Sequence, residues 1–492
     1  MALRELRRFV STVVAMVIIG VGARAAVLDD VDRRQTEGDR DRALLDVAIG
    51  VGGGMGADLA LRLLEQGRLR TRALRREACD VARARMAEAT EPLPLLVATG
   101  FGENREVERG AALRQYRVDA LSLRCRLARQ LLELDRREAR EAILELQPGL
   151  DIPESGCQDI LIPNANVFYA TLGEVLEESL SAAERRKGLQ WEIARRYVGA
   201  LRTPVEIAPA CAFVTSLGVR AGELELTVAE LADAISRMPG SPRALLVMSD
   251  YERAGPAIAG LLEAVRGSEP TYRRLREAVR GLVVRSLEGP RCPDLASNTT
   301  AIVLEYFNDE VLVGHPIVAE ELKLPSAGDY GKEHPLYASA KSRRMLEELK
   351  DLYAAQRQLG PDSDRSEWIR KFDAYLSSVR SWNAVEERSD IDYVSEKTPT
   401  VTLLIEIAPD RGRRLEVVRD FAVMLRHAST AGSLEYVPVS LASYVVCRLE
   451  GAERQQVLEM FRTSGSRLLS AYATLQLEGV DVFDIGNSQT AP

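Results

Sequence analysis

LSLRCRLARQLLELDRREAREAILEL, residues 121–146, contains two apolar periodicities separated by one polar residue. Leucines and Cys125 recur at helical spacing up to Leu134 and form an apolar side broad enough to pack on two neighbouring helices. Asp135 interrupts the pattern, and a second helical pattern begins at Arg136. Two helices joined by a very short turn are the unit of helical hairpins and α-solenoids. The segment therefore predicts an all-α protein.

Capping signals at three positions mark helix starts. Asp135, Ser181 and Thr227 are each followed three residues later by Glu. In a capping box the short polar side chain accepts a hydrogen bond from the first turn, and the Glu side chain reaches back to the N–H of the cap residue. Such a cap stabilises a helix start by about 1 kcal/mol. We therefore predict that helices begin directly after these three residues.

Strong helix formers (Ala, Leu, Glu and Arg) dominate the rest of the chain. The predicted helices cover residues 42–49, 57–65, 71–89, 111–134, 136–146, 165–184, 190–201, 205–217, 227–237, 256–266, 271–287, 301–307, 339–358, 366–382, 398–407, 413–428, 441–449 and 453–477. Residues 401–407 could equally form a short strand. Repeats of about 34–45 residues would suit a tetratricopeptide-like or HEAT-like array, although no single period aligns and the W-x2-L-G-x2-Y signature is absent. The predicted fold is an irregular α-solenoid, a right-handed stack of helical hairpins.

Composition divides the chain into five predicted regions. Residues 1–25 are predicted to form a signal peptide, and residues 26–288 an N-terminal helical-repeat domain. An irregular Pro/Gly-rich segment follows at residues 289–338, a C-terminal helical domain at 339–477 and a disordered tail at 478–492. Irregular segments as long as the third region are usually functional or act as linkers. A catalytic site, if the chain has one, is expected there.

The first residues predict export. Three arginines among the first eight residues precede the uncharged apolar run 9–21, and Ala23-Arg24-Ala25 offers small residues at the two positions that a signal peptidase recognises. The apolar run is shorter than the about 20 residues that cross a bilayer. We expect a mature chain that starts at Ala26 in the periplasm or outside the cell and has no transmembrane segment.

The charge pattern argues against a nucleic-acid partner. The formal net charge is −8, and loss of the leader, with four arginines and one glutamate, takes it to −11. Basic residues alternate with acids along predicted helices, as in residues 136–141, which is typical of solvated helix faces. DNA and RNA require a basic face.

Six cysteines are distributed along the chain without CxxC or zinc-type spacing. They are Cys79, Cys125, Cys157, Cys211, Cys292 and Cys447. An oxidising compartment permits disulfides, and we favour a Cys125–Cys157 bridge because these residues flank one helical unit and the loop after it. The alternative is that several are buried thiols, since Cys packs like a small apolar side chain.

The glycine-rich run IGVGGGMGA, residues 49–57, contains a G-x-G-x-x-A pattern formed by Gly52, Gly54 and Ala57. In dinucleotide-binding folds such glycines let the backbone approach a pyrophosphate between a strand and a helix. Here the preceding residues 41–49 have a helical pattern, and no acid-terminated strand follows. We interpret the run as a flexible turn between two helices and expect no cofactor.

Potential catalytic residues are confined to the irregular segment. Asp294, Asn298, His315 and His334 are the first residues to mutate if the chain is an enzyme. Their spacing matches no metal site, so no metal is expected. No G-x-S-x-G, S-x-x-K or H-E-x-x-H motif is present, and no residue is assigned a catalytic role.

Three segments resemble uncharacterised secreted helical-repeat proteins of environmental bacteria. They are Leu123-Arg124-Cys125-Arg126, the loop Ser155-Gly156-Cys157-Gln158-Asp159 that leads to Phe168-Tyr169, and Gly289-Pro290-Arg291-Cys292-Pro293-Asp294. The resemblance spans most of the mature chain and implies an exported helical-repeat protein. It implies no activity.

Two classes of function follow from these patterns. Stacked hairpins present a long surface, which favours a secreted or periplasmic scaffold that binds a protein or peptide. The alternative is an all-α secreted hydrolase or lyase whose site lies in residues 289–338. We favour the scaffold because no catalytic motif is present.

Overall fold

The structure, a computed structural model, describes residues 37–87, 119–150, 164–218, 220–240, 248–289, 297–323, 340–360, 364–382, 403–428 and 449–482, with isolated residues within 397–401 and 439–446. Every regular element among these residues is helical, so the all-α prediction is confirmed. The described positions of residues 401–407 are helical as well and do not form the alternative strand. The predicted signal peptide, residues 1–25, lies outside the described residues. Within the described part, no helix has both the length and the apolar character required to cross a bilayer.

The helices are numbered here in chain order. They are α1 (37–51), α2 (Gly53–Glu65), α3 (Arg72–Met86), α4 (Ala120–Leu132), α5 (Arg136–Leu144), α6 (Ala165–Ser179), α7 (Ala182–Arg186), α8 (Leu189–Val198), α9 (Ile207–Ser216), α10 (Ala221–Arg237), α11 (Met248–Ala264), α12 (Glu269–Glu288), α13 (Ser297–Glu310), α14 (Ala340–Gln358), α15 (Ser366–Ser381), α16 (Arg411–Ala428), α17 (Gly451–Arg462) and α18 (Arg467–Leu477). Short 3-10 helices occupy Pro204–Glu206 and Ala319–Glu321.

Two of the three predicted caps are present. At α7, Ser181 Oγ accepts a hydrogen bond from the Glu184 N–H at 3.2 Å, and Glu184 Oε2 accepts one from the Ser181 N–H at 2.8 Å, which completes a capping box. At α5, Asp135 Oδ1 accepts hydrogen bonds from two N–H groups of the first turn, at 3.0 and 3.1 Å. Glu138 does not reach back as predicted, because its carboxylate pairs with two arginines of α3.

The third predicted cap is wrong. Thr227 is buried within α10, which begins six residues earlier at Ala221. Its hydroxyl donates a hydrogen bond to the Glu223 carbonyl at 2.7 Å, one turn back. The apolar face of this helix extends back to the buried Leu224, so burial draws the upstream residues into the helix and overrides the local capping signal.

Apolar periodicity does not locate every helix end. The predicted helix 165–184 is broken in two by the extended backbone of Leu180 (φ −78°, ψ 131°). The predicted helix 453–477 is broken in two around Gly465 (φ 79°). Leu180 is itself buried, so the apolar pattern continues through the break. Conversely, part of the predicted irregular segment 289–338 forms α13, which is longer than the helix expected at residues 301–307.

The glycine run is a one-residue break followed by a buried helix, and the predicted flexible turn is therefore wrong for most of it. Gly52 (φ 79°) separates α1 from α2. Gly54 and Gly56 are helical and buried. A Cβ atom at Gly56 would lie 3.0 Å from the Ala48 carbonyl oxygen. The run thus lets the end of α1 approach α2 closely, which is a packing role.

The described helices from α2 to α13 include a series that packs in chain order. α2 contacts α4, α4 contacts α6, α6 contacts α9, α9 contacts α11, and α11 contacts α13; this series is called the first layer below. Beside it, α8 contacts α10 and α10 contacts α12. Sequence neighbours also pair, as α2 does with α3 and α4 with α5. Every apolar side chain of the core belongs to one continuous cluster.

Ion pairs also join helices to one another. They join Glu138 of α5 to Arg76 and Arg83 of α3, Arg140 of α5 to Glu184 of α7, Arg195 of α8 to Glu223 of α10, Asp233 of α10 to Arg274 of α12, Asp373 and Asp420 to Arg413 and Arg380 between α15 and α16, and Arg414 of α16 to Glu453 of α17. The mixed charge of the helices therefore links one helix to another as well as facing solvent.

The last described residues contact the first helices. The Gln66 side chain at the end of α2 donates to the Asp481 carbonyl at 2.7 Å and accepts from the Asp481 N–H at 2.9 Å. The Arg68 guanidinium donates to the Gly479 carbonyl. A glutamine that bonds both polar groups of one backbone residue holds that residue in a fixed position.

Apolar burial accompanies this contact, which we call the terminal clasp (residues 66–68 with 478–482). Val480 and Val482 are 1% and 0% exposed. The surface ion pair Arg40–Glu478 lies beside them. Residues 478–482, predicted to belong to a disordered tail, are therefore packed; residues 483–492 lie outside the described residues.

Candidate functional site

The residues singled out in the irregular segment do not form a described site. His315 is exposed in the turn after α13, where its N–H bonds the Leu312 carbonyl at 2.8 Å. Asn298 lies on α13, but its side chain is outside what the structure describes, as are Asp294 and His334. Among the described residues no cluster of three His, Cys, Asp or Glu side chains could hold a metal ion.

A buried ion cluster links α2 to α4. Arg126 Nη1 lies 2.5 Å from Asp58 Oδ1, and both side chains are almost completely buried. The Arg126 fork also bonds both oxygens of Glu65, at 2.7 and 2.9 Å, while Arg62 Nε reaches the second oxygen of Asp58 at 2.9 Å. Burial alone would lower the pKa of Arg126, but the charges of Asp58 and Glu65 raise it overall. Glu65 is exposed, but Arg126 and Asp58 are withdrawn from solvent and pair with each other, so we interpret the cluster as structural.

A second buried group surrounds Glu206. One carboxylate oxygen accepts from the Arg202 N–H at 3.1 Å and from the Thr203 N–H and hydroxyl at 3.2 Å. The Tyr169 hydroxyl donates to the other oxygen at 3.4 Å. Burial raises the pKa of Glu206 despite these donors, and burial, together with the nearby Glu206 charge, raises the pKa of Tyr169. The group joins α6 to the start of α9 without reaching solvent.

The raised pKa of Glu206 predicts a pH dependence of stability. Unfolded Glu206 loses its proton near pH 4.5, whereas the folded residue keeps it to higher pH, so the folded state loses stability as pH rises through this window. Glu206→Gln keeps an oxygen acceptor and removes the titration. Urea unfolding between pH 4 and 8 should show the variant gaining stability relative to the parent as pH rises.

Glu184→Gln is the matched control with the opposite sign. Hydrogen bonds from Ser181, with a further contribution from Arg140, lower the pKa of Glu184 to about 2. Its ionised form therefore stabilises the fold above about pH 4.5, and this contribution is lost as pH falls toward 2. The assignment would be contradicted if the free energy of unfolding of Glu206→Gln minus that of the parent stayed constant or fell as the pH rises.

The described cysteines are buried thiols. Cys79, Cys125 and Cys211 are 0–1% exposed, and no disulfide joins them. No disulfide joins Cys125 to another described cysteine, and Cys157, its predicted partner, lies outside the described residues. Burial raises the pKa of Cys79 to about 11 and that of Cys211 to about 12.

Thiol labelling tests this burial. A pKa raised from 9.0 to about 11 lowers the thiolate fraction of Cys79 at neutral pH by about a hundredfold, in addition to the steric protection. We expect Cys79 and Cys211 to remain unlabelled by a maleimide in the native protein while the guanidine-unfolded chain is labelled completely. Peptide mass spectrometry assigns the sites, and rapid native labelling of either residue would refute their burial.

One described cleft brings two arginines together with apolar side chains. It has a volume of about 210 Å³ and lies between the end of α14, the start of α15 and the turn before α16. Its lining residues are Gln356, Arg357, Leu359, Arg365, Trp368, Ala408 and Pro409. The buried Trp368 indole N–H donates to the Leu352 carbonyl at 3.2 Å, which fixes the ring as a wall.

Sequence reasoning missed this cleft. Arg357 and Arg365 are exposed arginines in a chain with many arginines, and the lining spans residues 356–409, so no local motif marks it. The only local sign is the rarity of tryptophan, since the chain has three. No family model, curated protein or solved structure matches this chain.

Proposed function

We propose that this chain is an exported helical-repeat scaffold that binds another protein or a peptide. The observation that carries the proposal is the first layer, in which α2, α4, α6, α9, α11 and α13 contact one another in chain order. Stacked helical hairpins bury their apolar sides against sequence neighbours and present an extended surface to partners. Export rests on the leader-like residues 1–25.

Exposed apolar side chains support a protein partner. Ile302, Val313 and Val318 are 49%, 61% and 42% exposed and lie within α13 and the turn after it, at the end of the first layer. The Asn308 side chain holds this turn on α13 through two bonds to the Ile317 backbone, at 2.8 and 3.0 Å. Apolar side chains exposed on an ordered surface mark protein-interaction sites when they lie close together.

Cross-linking in intact native cells tests the proposal. A tagged full chain should yield a partner protein at a constant ratio from the extracytoplasmic fraction, and its N-terminus should be Ala26. Ile302→Lys/Val313→Lys should remove that partner while the helical circular dichroism is kept, because a charge at each position opposes burial in an interface.

Leu226→Lys is the matched control. Leu226 is 59% exposed on α10, away from the end of the first layer in sequence, and the change introduces the same charge. Binding should survive it. Equal loss of the partner in both variants, no partner at all, or an uncut chain in the cytoplasm would each contradict the corresponding part of the proposal.

A further inference from the structure

We propose that the cleft between α14, α15 and the turn before α16 binds a small carboxylate that carries an apolar or aromatic body. This proposal concerns a separate site from the surface at the end of the first layer, and it does not depend on scaffold function. It rests on the charges, the walls and the size of the cleft.

The two cations that line the cleft, Arg357 and Arg365, differ in their contacts from two nearby arginines, Arg370 and Arg413. Arg370 on α15 pairs with Glu367, and Arg413 on α16 pairs bidentately with Asp373. Arg357 and Arg365 have no carboxylate partner among the described residues. Two guanidinium groups beside one cleft favour a planar anion such as a carboxylate, which the guanidinium fork matches in geometry.

Two described carboxylates close to the cleft in sequence, Asp364 and Asp410, have other donors. Asp364 Oδ1 accepts from the N–H of Ser366 at 2.9 Å and from its hydroxyl. Asp410 accepts from the N–H and the guanidinium of Arg413, at 2.9 and 2.6 Å. Neither carboxylate forms an ion pair with the arginines of the cleft. The guanidinium of Arg357 contacts the Tyr353 ring instead, 5.9 Å from its centroid.

Apart from the two arginines and Gln356, the lining residues are apolar. Leu359, Trp368, Ala408 and Pro409 supply the apolar walls. The Gln356 side-chain amide bonds the Ile407 carbonyl at 3.4 Å and ties the turn before α16 to α14. Specific small-molecule sites combine such apolar walls with a few placed polar groups. A bare inorganic anion would leave these walls without a partner.

Fluorine NMR on the 5-fluorotryptophan-labelled full chain measures binding. The chain has three tryptophans, and Trp368→Phe identifies the resonance of Trp368. Phenylacetate should shift this resonance saturably with a Kd near the millimolar range, which is typical of ligands with about ten heavy atoms. Inorganic phosphate and neutral phenylacetamide should each bind at least about tenfold more weakly, because each lacks one of the two required groups.

Charge variants complete the test. Arg357→Gln and Arg365→Gln should each raise the Kd for phenylacetate at least about tenfold, whereas Arg370→Gln, on the same helix but outside the lining, should leave it unchanged. Thermal unfolding of each variant controls for folding. The proposal is overturned by the absence of a saturable shift, by equal binding of phenylacetamide or phosphate, or by an equal loss in Arg370→Gln.

Discussion

Arg126→Met is expected to lower the free energy of unfolding by about 3–5 kcal/mol at neutral pH. Asp58 is 0% exposed and would then keep a single cationic partner, Arg62, in place of two. Moving a charged carboxylate from water into the protein interior costs free energy, and the loss of a charged, hydrogen-bonded partner leaves this cost without compensation. Urea unfolding followed by circular dichroism measures the change.

The double variant Asp58→Leu/Arg126→Met separates charge from packing. Removing both buried charges leaves an apolar contact between α2 and α4, so the double variant should recover most of the stability that the single variant loses. Arg137→Met is the surface control, because the Arg137–Glu141 pair is exposed and its loss should be undetectable. If the stability losses of Asp58→Leu and Arg126→Met, measured separately, added up to the loss in the double variant, the cluster would not act as one unit.

Val482→Asp is expected to open the terminal clasp. A fully buried valine stabilises packing by about 1.5–3 kcal/mol, and a carboxylate at the same position adds the penalty of an unpaired charge. Amide hydrogen exchange in residues 66–68 and 476–482 should accelerate at least about a hundredfold, while α10 and α12 keep their protection.

Glu478→Gln is the matched control for the clasp. It removes the ion pair between Arg40 and Glu478, whose side chains are 55% and 42% exposed in that order. Such surface pairs contribute about 0–1 kcal/mol to stability. Its exchange pattern should resemble that of the parent protein. If Val482→Asp left residues 476–482 as protected as in the parent, the buried valines would not hold the clasp.

Helical periodicity was sufficient to predict most helices, because the 3.6-residue spacing of apolar residues is visible within a short stretch of sequence. Asp135 and Ser181 marked real helix starts for the same reason. Thr227 did not, since burial of Leu224 extended the helix upstream. The break at Leu180 was not predictable from apolar spacing, because a buried residue with extended backbone looks like a helical core residue in sequence.

The candidate cleft could not be predicted because it depends on tertiary contacts. Arg357 and Arg365 resemble any solvated arginine, and only the position of Ile407 and Pro409 against α14 encloses the space beside them. His315 was a candidate because histidine chemistry is versatile, but local sequence does not reveal that its side chain is exposed in a turn.

The terminal clasp also has a consequence for biosynthesis. Gln66 and Asp481 are 415 positions apart in sequence. A ribosome that adds roughly 5–20 residues per second needs roughly 20–80 s to make that stretch. Throughout that time the turn after α2 lacks residues 478–482, which pack on it in the folded protein. Folding of this region is therefore complete only after residues 478–482 have been synthesised.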